Sequence, residues 1–92
     1  MNKAKDSREQ SIQTLTAIYQ RGDFGLAITE ARKVIKNYQS ASAFNILSLA
    51  HKGLGEIDRS IEIYEHLLLT NQSNTMFLVN LGNIYSAQGR LT

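Results

Sequence analysis

Apolar residues recur at every third or fourth position in five stretches of the chain, with polar residues between them. This spacing places the apolar side chains on one face of an α-helix. The five stretches begin at Ile12, Leu26, Phe44, Ile61 and Phe77. The sequence therefore predicts five amphipathic helices, and the short links between them require consecutive helices to pack antiparallel.

Capping and turn residues set the predicted ends of these helices. Asp6 and Ser7 each stand three residues before a Glu or Gln, which is the spacing of a capping box, so the first helix is predicted to start near Ser7. Gly22 can close that helix in a left-handed conformation, and Asp23 can cap the second. The remaining helices are predicted over 41–52, over 57–70 and from Thr75 onward.

Three glycines divide the chain at a nearly constant period. The interval from Gly22 to Gly55 is one position shorter than the interval from Gly55 to Gly89. Each glycine follows an apolar-periodic helix, and the first two also precede one. A fixed period of about 34 residues is typical of a solenoid built from helix pairs.

The residues around these glycines resemble the tetratricopeptide repeat. The pattern W-x2-L-G-x2-Y is matched most closely by the third copy, which has Leu78, Leu81, Gly82 and Tyr85. The corresponding residues of the second copy are Phe44, Leu47, Ser48 and His51, followed by Ser60 and Tyr64. The first copy is the most degenerate, with Ser11, Thr14, Leu15 and Ile18, followed by Ala27 and Ala31.

The resemblance covers residues 8–92 and implies an all-α fold, an α–α superhelix of antiparallel helix pairs. It divides the chain into a lead-in, two full repeats and the first helix of an incomplete third repeat: 1–7, 8–40, 41–74 and 75–92. The proline that ends the family pattern is absent, and Gln39 and Gln72 stand in its place. Ser40 and Ser73 can each cap the following helix instead. Ser48 and Ser60 replace a glycine and an alanine, which keeps the helices of a pair close together.

The third repeat lacks its second helix, so we expect the chain to be the N-terminal part of a longer repeat array. Leu78, Leu81 and Tyr85 are then predicted to form an exposed hydrophobic face. A following helix would cover this face, or a second copy of the chain would pair with it in a homodimer. The alternative is that the fifth helix is itself the terminal cap.

No arrangement typical of a catalytic or metal site stands out, so the sequence predicts a non-enzyme without cofactor or metal. Cysteine is absent, and the two histidines, His51 and His66, belong to different helices. His51 takes the place of Tyr85 in the next repeat and is expected to fill the core. His66 follows Glu62 by four residues, which is the spacing of an ordinary pair on a helix surface.

Charge and hydropathy argue against nucleic acid and membrane partners. The net charge is only +2, and the basic residues nearest to one another, Arg32, Lys33 and Lys36, suit the negative end of a helix dipole. The longest aliphatic run is Leu67 to Leu69, far short of a membrane span. The positively charged N-terminus is followed by no apolar segment, so we expect a cytoplasmic protein.

With catalysis, metal binding, nucleic acid and membranes argued against, the sequence favours a surface that binds protein. The resemblance implies that the first helix of each repeat lines a concave groove that takes a peptide or a partner protein. The residues predicted to line this groove are Gln13, Thr16, Asn45, Leu49, Lys52, Val79, Asn80 and Asn83. Amide side chains both donate and accept, and so could hold a peptide backbone. The alternative is a substrate-recruiting or stabilising arm of a larger enzyme, such as a glycosyltransferase or sulfotransferase.

Overall fold

The protein is an array of antiparallel helices, seen in a computed structural model that describes residues 3–38, 40–70 and 75–87. Within these residues it forms five α-helices and no strand. The helices are α1 (Lys3–Gln20), α2 (Phe24–Tyr38), α3 (Ala41–Gly53), α4 (Ile57–Thr70) and α5 (Thr75–Ala87). The predicted all-α class is confirmed, and the bounds of α3 to α5 agree with the prediction to within a residue.

The predicted start of the first helix is wrong. The helix begins at Lys3, so Ser7 lies inside α1 and most of the lead-in is helical. Lysine and alanine are strong helix formers and no glycine or proline interrupts residues 3–6, so propensity extends the helix past the candidate capping boxes.

The two described inter-helix turns have the same geometry. Gly22 and Gly55 both have φ of +82°, as expected of left-handed glycines that close a helix. In the first turn, Asp23 N–H donates to the Ile18 carbonyl at 3.3 Å, and in the second, Glu56 N–H donates to the His51 carbonyl at 2.9 Å. These bonds satisfy carbonyl groups that a helix end otherwise leaves unpaired. The turn predicted at Gly89 lies outside the described residues.

Ser40 caps α3 as predicted. Its Oγ accepts a hydrogen bond from the Ala43 N–H at 3.3 Å, and its backbone is extended, which is the usual conformation of an N-cap residue. The corresponding prediction for Ser73 falls outside the described residues.

Helix α3 lies at the centre of the array. It contacts α2 and α4, its neighbours in sequence, and also α1, while α5 packs on α4. The first helices of the first two repeats, α1 and α3, therefore lie side by side. One buried cluster joins α1, α2 and α3 around Leu15, Ala31 and Leu47, and a second joins α4 and α5 around Tyr64 and Phe77.

The apolar face predicted on α5 needs a correction. Leu78 is half exposed, but Leu81 is only 8% exposed because it packs in the second cluster. The prediction that Leu81 is exposed is therefore wrong. Tyr85 is partly buried, and its hydroxyl donates to Glu65 Oε2 at 2.8 Å. The large apolar side chains that α5 does expose are Met76, Leu78 and Val79.

Candidate functional site

A groove of about 380 Å³ lies where the first helices α1, α3 and α5 meet, and we call it the inner groove. Eleven described residues line it: Ile12, Thr16, Tyr19, Gln20, Ala41, Ser42, Asn45, Ile46, Leu49, Met76 and Phe77. Helix α1 contributes the first four, α3 the next five, and α5 the last two, from its first turn. The groove thus combines side chains from three successive repeats.

The α1 side of the groove consists of residues one helical turn apart. Ile12, Thr16 and Tyr19 follow one another at intervals of four and three, so they share a face of the helix. Thr16 Oγ1 donates to the Ile12 carbonyl oxygen at 2.8 Å. This bond within the helix uses the only hydrogen of the hydroxyl and leaves the oxygen able to accept.

Three polar side chains from three helices form a connected network beside the groove, which we call the Asn45–Tyr64–Asn80 network. The Tyr64 hydroxyl donates to Asn45 Oδ1. Asn80 Nδ2 lies 3.3 Å from the same oxygen and 3.2 Å from the Tyr64 hydroxyl oxygen, and it donates to both. The network ties α5 to α3 and α4 and fixes which way the Asn45 amide is turned.

Tyr64 lies at the centre of this network and is fully buried. Burial raises the pKa of Tyr64 to about 12, because the phenolate would lose its hydration. Hydrogen bonds with Asn80 and Ser48 act in the opposite direction but are the smaller influence. The hydroxyl therefore stays protonated at neutral pH and remains a donor to Asn45.

A comparison with known families identifies the helix pair at the centre of the array. Residues 41–74, the range assigned above to the second repeat, match the family model of the tetratricopeptide repeat. The second helix pair is therefore a tetratricopeptide repeat. No curated protein matches its sequence. Tetratricopeptide repeats mediate protein–protein interactions and are typically non-catalytic.

Only part of the predicted groove set comes together beside this tetratricopeptide repeat. Thr16, Asn45 and Leu49 line the inner groove. Asn80 is half-buried and joins the network instead. The other four predicted residues do not line the groove: Gln13, Lys52, Val79 and Asn83. Of these, Lys52 is half-buried and the other three are exposed.

Val79 and Asn83 of α5 lie outside the inner groove because the groove forms where first helices of successive repeats face one another. Val79 and Asn83 occupy the registers of Asn45 and Leu49 one repeat later. Helix α3 lies between α1 and α5, so its side chains at these positions face a neighbouring first helix. Helix α5 has a described first helix on one side only. The residues that α5 does contribute, Met76 and Phe77, come from its first turn.

Sequence reasoning also missed the apolar lining residues other than Leu49. Ile12 and Tyr19 are predicted to face the core, because apolar residues at helical spacing normally do so. Ile46 is buried, yet it also borders the groove. Shared register is the signal that could have identified this face, because three pairs at equivalent positions of successive repeats all line the groove: Ile12 and Asn45, Thr16 and Leu49, and Ser42 and Met76.

A second cavity of about 400 Å³ opens between α1 and α2. Ser11 and Thr14 line it, and the second repeat has Phe44 and Leu47 at the equivalent positions. The cavity thus follows from small polar residues standing where the next repeat has large apolar ones. Because it lies within one helix pair and not between repeats, we take the inner groove as the candidate site.

The histidines take the places expected of them. His51 is buried in the α3–α4 pair, and its Nδ1 lies 2.8 Å from Glu56 Oε1. His66 is exposed, with its ring 6.0 Å from that of Phe44. In the part of the chain that the structure describes, no three His, Cys, Asp or Glu side chains lie close enough together to hold a metal ion. Nor does any helix in that part have the length and apolarity to cross a membrane.

Proposed function

We propose that this protein is an interaction module that binds an extended segment of a partner protein in the inner groove. The observation that carries the proposal is the convergence of α1, α3 and α5 on one groove of about 380 Å³. A site of this size falls within the usual range for pockets that take a ligand. We also propose that the protein acts in the cytoplasm without catalysing a reaction itself.

Selection from a random peptide library displayed on phage, with the immobilised chain as target, tests this proposal. The enriched peptide is then titrated into isotopically labelled protein while amide resonances are followed by NMR. We expect the largest shifts at Thr16, Asn45, Leu49 and Met76. Shifts confined to the opposite side of the array, or the absence of any enriched peptide, would contradict a groove function.

A matched pair of substitutions strengthens the assignment. Leu49→Lys places a charge in the groove, whereas Leu54→Lys makes the same change at an exposed residue of the α3–α4 turn. We expect the first to abolish binding of the selected peptide and the second to leave it unchanged. Circular dichroism and thermal melting of both variants separate lost binding from lost structure.

A second candidate function is a stabilising or substrate-recruiting arm of a larger enzyme. The exposed apolar residues of α5 favour it, because Leu78 stands at the register of Phe44, which is partly buried against the second cluster. A homodimer through this face is the related possibility. Sedimentation of the native chain and of a Leu78→Glu, Val79→Lys variant distinguishes them, since only a homodimer would dissociate on substitution.

A further inference from the structure

The inner groove carries no charge on any of its described lining residues. Its surface combines apolar side chains, chiefly Ile12, Leu49 and Met76, with neutral polar ones. A carboxylate, phosphate or ammonium group entering this groove would lose hydration without meeting an opposite charge. Burial of an unpaired charge is strongly unfavourable. The charge pattern therefore favours an occupant that is itself uncharged where it meets the groove.

The Asn45 amide presents a defined hydrogen-bonding polarity. Both bonds that it makes with other described side chains use Oδ1, which accepts from Tyr64 and Asn80. The group left for a ligand is Nδ2, which only donates. If the amide turned over, Nδ2 would face the Tyr64 hydroxyl and Asn80 Nδ2, and both bonds to Oδ1 would be lost.

Thr16 on α1 presents the opposite polarity. Its hydroxyl hydrogen is used in the bond to the Ile12 carbonyl oxygen, so toward a ligand the oxygen accepts. The groove thus has a fixed donor on α3 and a fixed acceptor on α1. The apolar side chains lie around them, and Tyr19, Gln20 and Ser42 add polar groups that can donate or accept. A peptide main chain offers a carbonyl acceptor and an N–H donor on each residue, which complements this pair.

We infer that the inner groove binds an uncharged, extended peptide segment with apolar side chains. A main-chain carbonyl of the segment accepts from Asn45 Nδ2, and a main-chain N–H donates to Thr16 Oγ1. This inference rests on the proposed function and specifies the class of partner. It excludes recognition of an acidic peptide or of a terminal carboxylate as the basis of binding.

The composition of the peptides selected by phage display is the first test. We expect enrichment of Leu, Ile, Val, Phe and Ala and depletion of Asp, Glu, Lys and Arg. The most enriched peptide, synthesised with acetyl and amide caps, should bind with the same affinity at low and high salt, because no ion pair is formed. Charged peptides that shift groove resonances would overturn this inference but leave the interaction function intact. If no peptide shifted the groove resonances, both would fail.

Two substitutions test the donor and the acceptor with that capped peptide. Thr16→Val removes the acceptor without changing the shape of the side chain, and Thr29→Val is its control. Thr29 makes the same kind of bond, to the Gly25 carbonyl at 3.2 Å, but it is exposed on α2 outside the groove. We expect Thr16→Val to weaken binding by about 3- to 10-fold, as for the loss of one hydrogen bond, and Thr29→Val to have no effect.

Asn45→Asp replaces the donor with an acceptor while keeping the oxygen that Tyr64 and Asn80 need. We expect it to weaken binding by more than about 10-fold, since a carboxylate would face a peptide carbonyl without a hydrogen between them. Asn83→Asp adds the same charge to an exposed residue of α5 outside the groove lining and should bind normally. Unchanged binding by both Thr16→Val and Asn45→Asp would overturn the proposed contacts.

Discussion

The helix pairs α1–α2 and α3–α4 turn at equivalent glycines, but their interiors are built from different chemistry. In the first pair, Leu15 and Ala27 are buried, and at the equivalent positions of the second pair Ser48 and Ser60 are equally buried. The two serine Oγ atoms lie 2.7 Å apart, and Ser48 Oγ also donates to the Ser60 carbonyl at 2.8 Å. A contact that is apolar in the first repeat is therefore hydrogen-bonded in the second.

The same substitution of polar for apolar residues continues along the pair. Ile18 and Ala31 are buried in the first pair, and His51 and Tyr64 occupy their positions in the second. The helix that supplies the large buried side chain also differs between the pairs. In the first pair it is the first helix, with Leu15, and in the second pair it is the second helix, with Tyr64. The space within a pair can thus be filled from either helix, provided that the facing residue is small.

The difference shows where directional interactions are needed. The first pair contacts α3 through apolar side chains, whereas the second pair must also hold α5. Hydrogen bonds through Tyr64 specify one arrangement of Asn45 and Asn80, which apolar packing alone would not do. Substitutions in the interiors of the two pairs should therefore have different consequences, whereas substitutions at the turns should have small and equal ones.

Tyr64→Ala should have the largest effect. It removes a fully buried aromatic side chain and leaves the Asn45 oxygen with fewer donors, so we expect the free energy of unfolding to fall by about 3–5 kcal/mol. Urea denaturation followed by circular dichroism measures the loss. Tyr38→Ala, at a half-buried tyrosine of α2, is the matched control and should cost much less. Equal losses of stability would show that the Asn45–Tyr64–Asn80 network does not stabilise the protein.

The protonation state of Tyr64 should make stability depend on pH in alkaline solution. Burial raises the pKa of Tyr64 from 10.0 to about 12, so above pH 10 the unfolded chain releases a proton that the folded chain keeps. The stabilisation from this residue is complete below pH 10 and is lost as pH rises toward 12. Denaturation of the native chain and of Tyr64→Phe across this range isolates the effect, because the variant lacks this ionisation. Parallel curves for the two proteins would contradict it.

The helices and their turns follow from the sequence because they depend on local chemistry. Apolar spacing fixes the helical stretches, and Gly22 and Gly55 mark turns whose left-handed backbone disfavours other residues. The start of α1 was missed because Ser7 could cap a helix or lie within one, and local sequence does not decide between the two. Propensity in the preceding residues carried the helix further.

The groove was only partly predictable because it depends on how successive repeats are arranged in space. The family resemblance together with helical phase predicted Thr16, Asn45 and Leu49, which do line it. The contact of Asn80 with Tyr64 joins residues of different repeats, and no spacing rule within a helix indicates it. The burial of Leu81 is a similar case, since it depends on how α5 packs against α4.

Removal of the serine contact should have an intermediate, strongly coupled effect. Ser48→Ala and Ser60→Ala each leave a buried hydroxyl or carbonyl with one partner fewer, at an expected cost of about 1–3 kcal/mol. The double variant should lose less stability than the sum of the two single losses, because it leaves neither hydroxyl buried without its partner. A double-mutant cycle by urea denaturation measures this coupling. Additive losses would mean that the two serines act only as small residues, like Ala27 in the first pair.

Substitutions at the turn glycines should have the smallest effect and should be the same in both pairs. Gly22→Ala and Gly55→Ala each force alanine into a left-handed backbone, at an expected cost of about 1–2 kcal/mol, while neither Cβ meets a neighbouring atom. Gly25→Ala is the control. Gly25 lies within α2 at an equally open position without positive φ, so alanine should stabilise the protein by about 0.5–1 kcal/mol. Thermal and urea denaturation of the three variants measures these changes. Equal losses at Gly22 and Gly55 would place the difference between the pairs in their interiors, whereas unequal losses would place part of it in the turns.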